Sequence, residues 1–139
     1  MNASFEERSV WIQLFGMSLV LFGYFFVAWQ MWSQGVTALP VYVPVFAVGV
    51  ILMVICMVAG HVAAAIAGRP DGRDERDRLI EWRAESNSGW LVATGVIAGI
   101  SGMVLSAPNV WTAHLLLFFL FLSTLLKLVL QLIYYRRGI

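Results

Sequence analysis

A few side chains in this 139-residue chain are of types that can do chemistry. Lys127 lies within a long apolar run, where an ammonium could counter a buried acid, carry an anion or take part in proton movement. His61 and His114 are potential ligands for haem iron or another metal, and Cys56 could add a thiolate. Each of these chemistries requires that the fold bring such groups together.

The positions of the two histidines argue against a shared metal. His61 lies near the inner end of the second apolar run and His114 near the outer end of the fourth, so much of a bilayer should separate them. A bis-histidine haem in a membrane bundle needs both ligands at a similar depth. One cysteine, two distant histidines and no acid within the runs do not supply three or four ligands. We therefore expect no metal and no cofactor.

The hydroxyl and thiol groups lack a neighbouring base. Ser101, Ser123 and Thr124 are expected to bond to their own helix backbone or across a helix contact. Cys56 is the single cysteine, which rules out an intramolecular disulfide, and in an apolar run it is expected to pack. No residue is assigned a catalytic role, and the sequence favours a non-enzymatic protein.

The elements that carry these residues are membrane spans. The chain is 60% hydrophobic and 12% charged, whereas soluble domains are about a quarter charged. About 20 apolar residues cross a hydrocarbon core as a helix. The sequence predicts an all-α, four-helix membrane bundle in a single domain, residues 1–139. Its spans are expected at about 11–32, 41–67, 89–105 and 113–135.

Residues 68–88 form a charged connector between the second and third spans. Six of the eight acids and five of the nine bases lie in residues 69–85. The two short outer loops, 33–39 and 106–112, have no base, so the positive-inside rule places both termini and the connector in the cytoplasm. Trp29, Trp32, Tyr42 and Trp111 then mark the opposite interface. We expect a multi-pass protein of the cell inner (cytoplasmic) membrane.

The connector is also the largest predicted aqueous surface. Arg73/Asp77 and Asp74/Arg78 are opposite charges four residues apart, as on one face of a helix that continues into the third span. This surface suits docking of a cytoplasmic or membrane protein partner as well as plain solvation. Acids interleave with the bases and the net charge is +1, so direct nucleic-acid binding is not expected. The candidate docking residues are Arg73, Asp74, Glu75, Arg76, Asp77 and Arg78.

Small residues at four-residue spacing predict close helix contacts, because they let helix backbones approach in lipid. The second span has the pairs Ala59/Ala63 and Gly60/Ala64. The third has a GxxxG pair and the adjacent Ala98/Gly102, so it is expected to be packed on most sides and to support a homo-oligomer. The packing candidates are Gly60, Ala64, Gly95, Gly99 and Gly102.

A weak internal match suggests duplication. Shifting the chain by 68 residues aligns residues 6–8 with 74–76 and Pro40 with Pro108, as in a 2+2 parallel repeat. Against this, the apolar stretch starts about ten residues later in the second half. Both readings of the sequence stay open.

Lys127 has two interpretations. Because it lies near the inner end of its span, its ammonium can snorkel toward headgroups or pair with Glu81 and Glu85. Alternatively, it binds an anion in an oligomeric transporter. Proton-coupled cation export generally needs a carboxylate within the membrane, and the spans contain none.

Three segments resemble a group of uncharacterised small bacterial four-span membrane proteins. They are EERSVW from Glu6, DERDRLIEWR from Asp74, and WTAHLL followed by KLVLQLIYYRRG between Trp111 and Gly138. The resemblance lies in a DER[DE] motif before the third span and a C-terminal Lys followed by Tyr-Arg-Arg-Gly. It implies the same four-span fold and no particular activity. It also implies a regulatory partner, since some members are encoded beside helix-turn-helix regulators.

These observations favour a self-associating integral membrane protein that acts as a structural or regulatory partner through its charged helix. The alternative is a transporter of a small molecule or ion that works as an oligomer.

Overall fold

The computed structural model describes residues 5–67 and 75–137, without the side chains of Phe5, Glu6, His61, Ala63, Ala64 and Ala67. These residues form five α-helices and one short 3-10 turn. The helices are α1 (Phe5–Ser33), α2 (Val43–Ala67), α3 (Glu75–Ser88), α4 (Trp90–Val104) and α5 (Asn109–Arg137). The 3-10 turn, Leu39–Tyr42, leads into α2.

Four helical stretches are long and apolar enough to cross a membrane. They are Glu7–Ser33, Leu39–Gly60, Glu75–Val104 and Asn109–Arg137. A helix pairs its own backbone N–H and C=O groups, which is necessary because lipid offers them no hydrogen-bond partner. The predicted all-α, four-helix membrane bundle is confirmed, and the chain has the architecture of a multi-pass membrane protein.

Two boundaries differ from those expected. The third span begins in the charged connector, because α3 passes into α4 through Gly89 alone, whose backbone is itself helical with φ −60° and ψ −27°. The fourth span begins at Asn109 rather than near 113. There the Pro108 carbonyl accepts the amides of Trp111 and Thr112, so the predicted 106–112 loop is shorter than its composition suggested.

The two short loops leave their helices through the same turn. After α1, Gly35 donates to the Trp32 carbonyl and Val36 to that of Met31. After α4, the Ser106 amide donates to the Met103 carbonyl, and the Ala107 amide donates to the Gly102 carbonyl. This is the Schellman pattern, which needs a left-handed residue after the helix. Gly35 has φ 84° and Ser106 has φ 58°.

The helices lie side by side rather than around one closed core. α1 packs against both α2 and α5, while α5 also packs against α3 and α4. Over the described residues, α2 forms no extended contact with α3 or α4. α1 and α5 are therefore central, and α2 and α4 flank them.

Both described chain ends lie at one end of the bundle. There Arg136 Nε is 3.7 Å from Glu7 Oε1, and the Arg136 guanidinium lies 5.6 Å from the Trp11 ring centroid. At the other end, Trp32 and Trp111 meet edge to face, with ring centroids 5.2 Å apart. We name these the charged end and the aromatic end. The assignment of the charged end to the cytoplasm, like the 2+2 repeat, stays a prediction.

Small residues bring neighbouring helices together within the chain. Gly95 is buried against Phe119, and a Cβ on Gly99 would lie 2.8 Å from Leu116 Cδ2. Both contacts join α4 to α5. Gly60 is buried against Ile12 of α1.

Within one chain the third span is packed on one face only, and the expectation that it is packed on most sides, which includes contacts in a homo-oligomer, stays a prediction. Ile97 and Ile100 of α4 are exposed. Gly95, Gly99, Ala98 and Gly102 lie within about 100° of one another around the helix, so the second small pair widens one face instead of adding another.

The Ala59/Ala63 pair does not make the contact expected of it, because Ala59 is exposed while Gly60 faces α1. The side chains of Ala63 and Ala64 lie outside the described part of the structure.

Candidate functional site

Lys127 lies on α5 and is paired with two acids of α3. Its Nζ donates to Glu85 Oε2 at 3.1 Å and to Glu81 Oε1 at 3.5 Å. The Lys127 side chain is 24% exposed, against 38% for Glu81 and 69% for Glu85. The structure therefore contains the ion pairs with Glu81 and Glu85 that the sequence offered as one partner for Lys127, and they fasten α3 to α5.

Helix geometry places this group near a membrane boundary. Lys127 is eighteen residues after Asn109, the first residue of α5, which is about 27 Å along a helix. Glu85 is nineteen residues before the end of α4 at Val104, or about 29 Å. A hydrocarbon core is about 30 Å thick. A hydrocarbon core that begins at Asn109 and Val104 would therefore end near these ion pairs.

The register of α3 on α5 follows from its buried face. Ile80, Ala84 and Ser88 recur every four residues and are buried. Ser123 Oγ donates to the Ser88 carbonyl at 2.9 Å, and Asn87 Nδ2 donates to the Tyr134 hydroxyl at 2.7 Å. These contacts fix the depth and rotation of α3.

That rotation sets where the charges point. Asp77 and Glu81 line a cavity, one helical turn apart, with Glu85 a further turn along. On the opposite face, Leu79 is 45% exposed and Trp82 is 67% exposed.

The cavity at the charged end, about 520 Å³, is lined by residues of α1, α2, α3 and α5. Its walls combine charged and amide groups with methionine and other apolar side chains. It is lined by Val10, Gln13, Met17, Met53, Met57, Asp77, Glu81, Leu120, Phe121, Thr124, Lys127, Leu128, Gln131 and Tyr135. A space of this size and mixed lining is typical of a small-molecule site.

His114 takes part in a separate cluster near the aromatic end. Its Nδ1 is 2.7 Å from the Val110 carbonyl, which can only accept, so Nδ1 carries the proton. In the neutral imidazole Nε2 is then an acceptor, and the Tyr24 hydroxyl, 3.1 Å away, donates to it. The ring also stacks on Tyr24 and meets Tyr42 edge to face. His114 is thus held among aromatic rings, with each ring nitrogen within hydrogen-bond distance of one oxygen.

A smaller pocket of about 110 Å³ adjoins this cluster. Its walls are mostly aromatic and include Trp29, Trp32, Tyr42 and Trp111. These are the residues that the sequence assigned to the outer interface. Aromatic side chains with a polar tip suit that layer of a membrane.

This chain matches no model of a known protein family, no curated protein and no solved structure. The resemblance to small four-span proteins therefore rests on its sequence segments alone.

The predicted docking residues do not share one surface. Glu75, Arg76 and Arg78 are exposed, whereas Asp77 is half-buried beside the cavity. Arg73 and Asp74 lie outside the described residues.

The other candidate residues have separate surroundings. The side chain of His61 is outside the described part, and Cys56 Cβ lies 3.3 Å from where a Cβ on Gly16 would be. Gly102 lies near Thr112 and Ala107, at the turn into α5.

The hydroxyls singled out in the sequence serve the backbone. Ser101 Oγ donates to the Ile97 carbonyl at 2.8 Å and Thr124 Oγ1 to that of Leu120 at 3.1 Å. Ser123 reaches across to α3 instead. Sequence reasoning missed Gln13 and Gln131 as lining residues. Their polarity inside apolar helices was the available signal, because such residues usually face a protein interior or a water-filled cavity.

Proposed function

We propose that this chain is a non-enzymatic protein of the bacterial inner membrane that presents α3 to a cytoplasmic or membrane protein partner. The observation that carries this is the two-sided character of α3. One face is fastened to α5 by Ile80, Ala84 and the Lys127 ion pairs, and the other is exposed. A helix held in place before binding loses less entropy when a partner docks.

The exposed face has the composition of a specific docking surface. Arg76, Arg78 and Glu75 supply alternating charge beyond the headgroup layer, and Leu79 and Trp82 supply apolar area next to it. Charge complementarity selects partners and sets association rates, while buried aromatic side chains supply most of the affinity. The predicted surface is thus the outward part of the DERDR segment.

Capture after gentle detergent extraction tests this proposal. The double reversal Glu75→Lys with Arg76→Glu changes the docking pattern without altering net charge and should reduce recovery of a specific partner at least tenfold. Arg137→Glu, an exposed reversal on α5 at the same end, is the control and should leave capture intact. Equal recovery by all three proteins, or no specific partner with wild type, would count against docking.

We also propose self-association. The glycine contacts at positions 60, 95 and 99 are used between helices of one chain, so subunits would meet through the outer faces of α2 and α4. Support comes from α2, whose exposed side carries Ile51, Ile55 and Val58. Photobleaching of single labelled molecules in dilute vesicles should show two or more steps. Single steps at every protein-to-lipid ratio would exclude an oligomer.

The cavity favours transport as a second function. It holds Lys127 at the membrane boundary and is large enough for a small solute. A carrier needs that ammonium to change partners in each cycle, so Lys127→Met should abolish flux in reconstituted vesicles. Lys127→Arg keeps the charge and serves as the control. Flux that survives Lys127→Met would leave docking as the better proposal.

A further inference from the structure

The cavity at the charged end has one polar and one apolar part. Asp77, Glu81 and Lys127 lie at the membrane boundary, and Met53 and Met57 of α2 form an apolar wall. We propose that this cavity binds one phospholipid whose headgroup is zwitterionic and ends in a primary ammonium. The ammonium pairs with Glu81 and Asp77, the phosphate with Lys127, and part of one acyl chain lies along the methionines.

The charges favour a zwitterion over a simple ion. An anion at Lys127 would meet the Glu81 and Asp77 carboxylates, and a cation at those carboxylates would meet Lys127. A headgroup with both signs meets an opposite charge at each of its ends, the ammonium at Glu81 and Asp77 and the phosphate at Lys127.

The existing ion pairs can accommodate such a headgroup. Lys127 lies 3.5 Å from Glu81, longer than the 2.7–2.9 Å typical of charge-assisted N–H···O bonds. It keeps Glu85 at 3.1 Å while its other donors turn to the phosphate, because an ammonium has three N–H groups. The fastening of α3 to α5 is therefore retained when lipid is bound.

Position and shape favour a membrane lipid as the occupant. The cavity lies between α2 and α3, and over the described residues these helices form no extended contact. A lipid of the same leaflet would have its headgroup at the depth of Lys127. The cavity of about 520 Å³ has room for a headgroup and part of a chain, and flexible methionines adapt to such a chain.

Lipid retention by the purified full-length protein tests this inference. The protein is exchanged into micelles with equal amounts of phosphatidylethanolamine, phosphatidylcholine and phosphatidylglycerol of identical chains, and bound lipid is counted by native mass spectrometry. The first two differ in N-methylation, and the third lacks the cation. Wild type should retain about ten times more phosphatidylethanolamine than phosphatidylcholine or phosphatidylglycerol. This is the difference expected when the other two lipids lack one charge-assisted hydrogen bond.

Matched variants locate the binding. Glu81→Gln should remove the preference, whereas Glu75→Gln on the exposed face of α3 should keep it. Lys127→Met should lower retention of all three lipids, because each of them carries the phosphate that Lys127 binds. Met57→Trp fills the apolar part and should lower retention of all three lipids, whereas Val58→Trp, exposed beside it, should not.

Two outcomes would overturn the inference. One is equal retention of the three lipids by wild type, a result that does not depend on the folding of any variant. The other is a preference that survives Glu81→Gln in protein with wild-type helicity. Neither result bears on partner docking by α3, which has its own test.

Discussion

At the scale of single residues, Thr112 is the buried hydroxyl whose surroundings differ from the rest. It is 5% exposed, and its Oγ1 has no hydrogen-bond partner among the described residues. Burying an unsatisfied hydroxyl costs roughly 1–3 kcal/mol. Ser101, Ser123 and Thr124 each donate to a carbonyl, so Thr112 is a local weakness in the first turn of α5.

Thr112→Val should therefore stabilise the protein. Valine keeps the shape and removes the unpaired hydroxyl, so we expect the free energy of unfolding to rise by about 1 kcal/mol. Thermal unfolding in detergent measures this. Thr124→Val is the matched control, because it removes a hydroxyl that bonds to the Leu120 carbonyl, and it should be neutral or slightly destabilising. A loss of stability in Thr112→Val larger than in the control would show that the hydroxyl is satisfied in the membrane.

At the same scale, sequence reasoning found Lys127 and its two possible acids but not the cluster around His114. Lys127 and Glu85 stood out because charge is rare beside apolar spans, and their common depth followed from counting residues. Tyr24 and His114 are ninety positions apart. Their contact depends on the rotation of α1 against α5, which depth alone does not specify.

At the scale of elements, the GxxxG pair in α4 decides how close α4 comes to α5. A Cβ on Gly99 would lie 2.8 Å from Leu116 Cδ2, closer than van der Waals contact allows, so a larger side chain forces the helices apart. Gly99→Leu should lower the midpoint of thermal unfolding in detergent by several degrees, corresponding to about 1–3 kcal/mol for an overpacked contact.

Gly23→Leu is the control for that substitution. Gly23 is also a glycine within a spanning helix, and nothing lies within 4 Å of a Cβ placed there. Because leucine also favours the helix more than glycine does, Gly23→Leu should be neutral or stabilising. Equal effects of the two substitutions would mean that α4 and α5 do not pack through Gly99.

The positions of the helices along the chain were largely predictable, but which helices pack against one another was not. Hydropathy located the four spans because a membrane demands about 20 apolar residues from each. Lipid-facing and helix-facing sides are both apolar, however, so composition did not show that α2 packs mainly on α1 or that α4 has one packed face. The same ambiguity hid the cavity, which depends on α2 and α3 lying apart.

At the scale of the whole molecule, the bundle has two ends of different chemistry. Glu7, Arg136 and the Lys127 ion pairs lie at one end, and Trp32 and Trp111 at the other. An even number of crossings puts both described chain ends together. Proposed docking and lipid binding both belong to the charged end, so orientation decides which compartment and which leaflet they concern.

Cysteine labelling in intact cells tests that orientation. Cys56→Ala supplies a background without thiols, and Gln34→Cys and Asn109→Cys each place one at an exposed position of the aromatic end. Basic residues are retained on the cytoplasmic side, so we expect an impermeant thiol reagent to label both positions in intact cells. Gly72→Cys in the connector should react only after the cells are lysed, which also shows that its thiol is reactive. Labelling of Gly72→Cys alone in intact cells would show that the orientation is the reverse of the predicted one. The partner proposed for α3 would then have to be sought outside the cytoplasm.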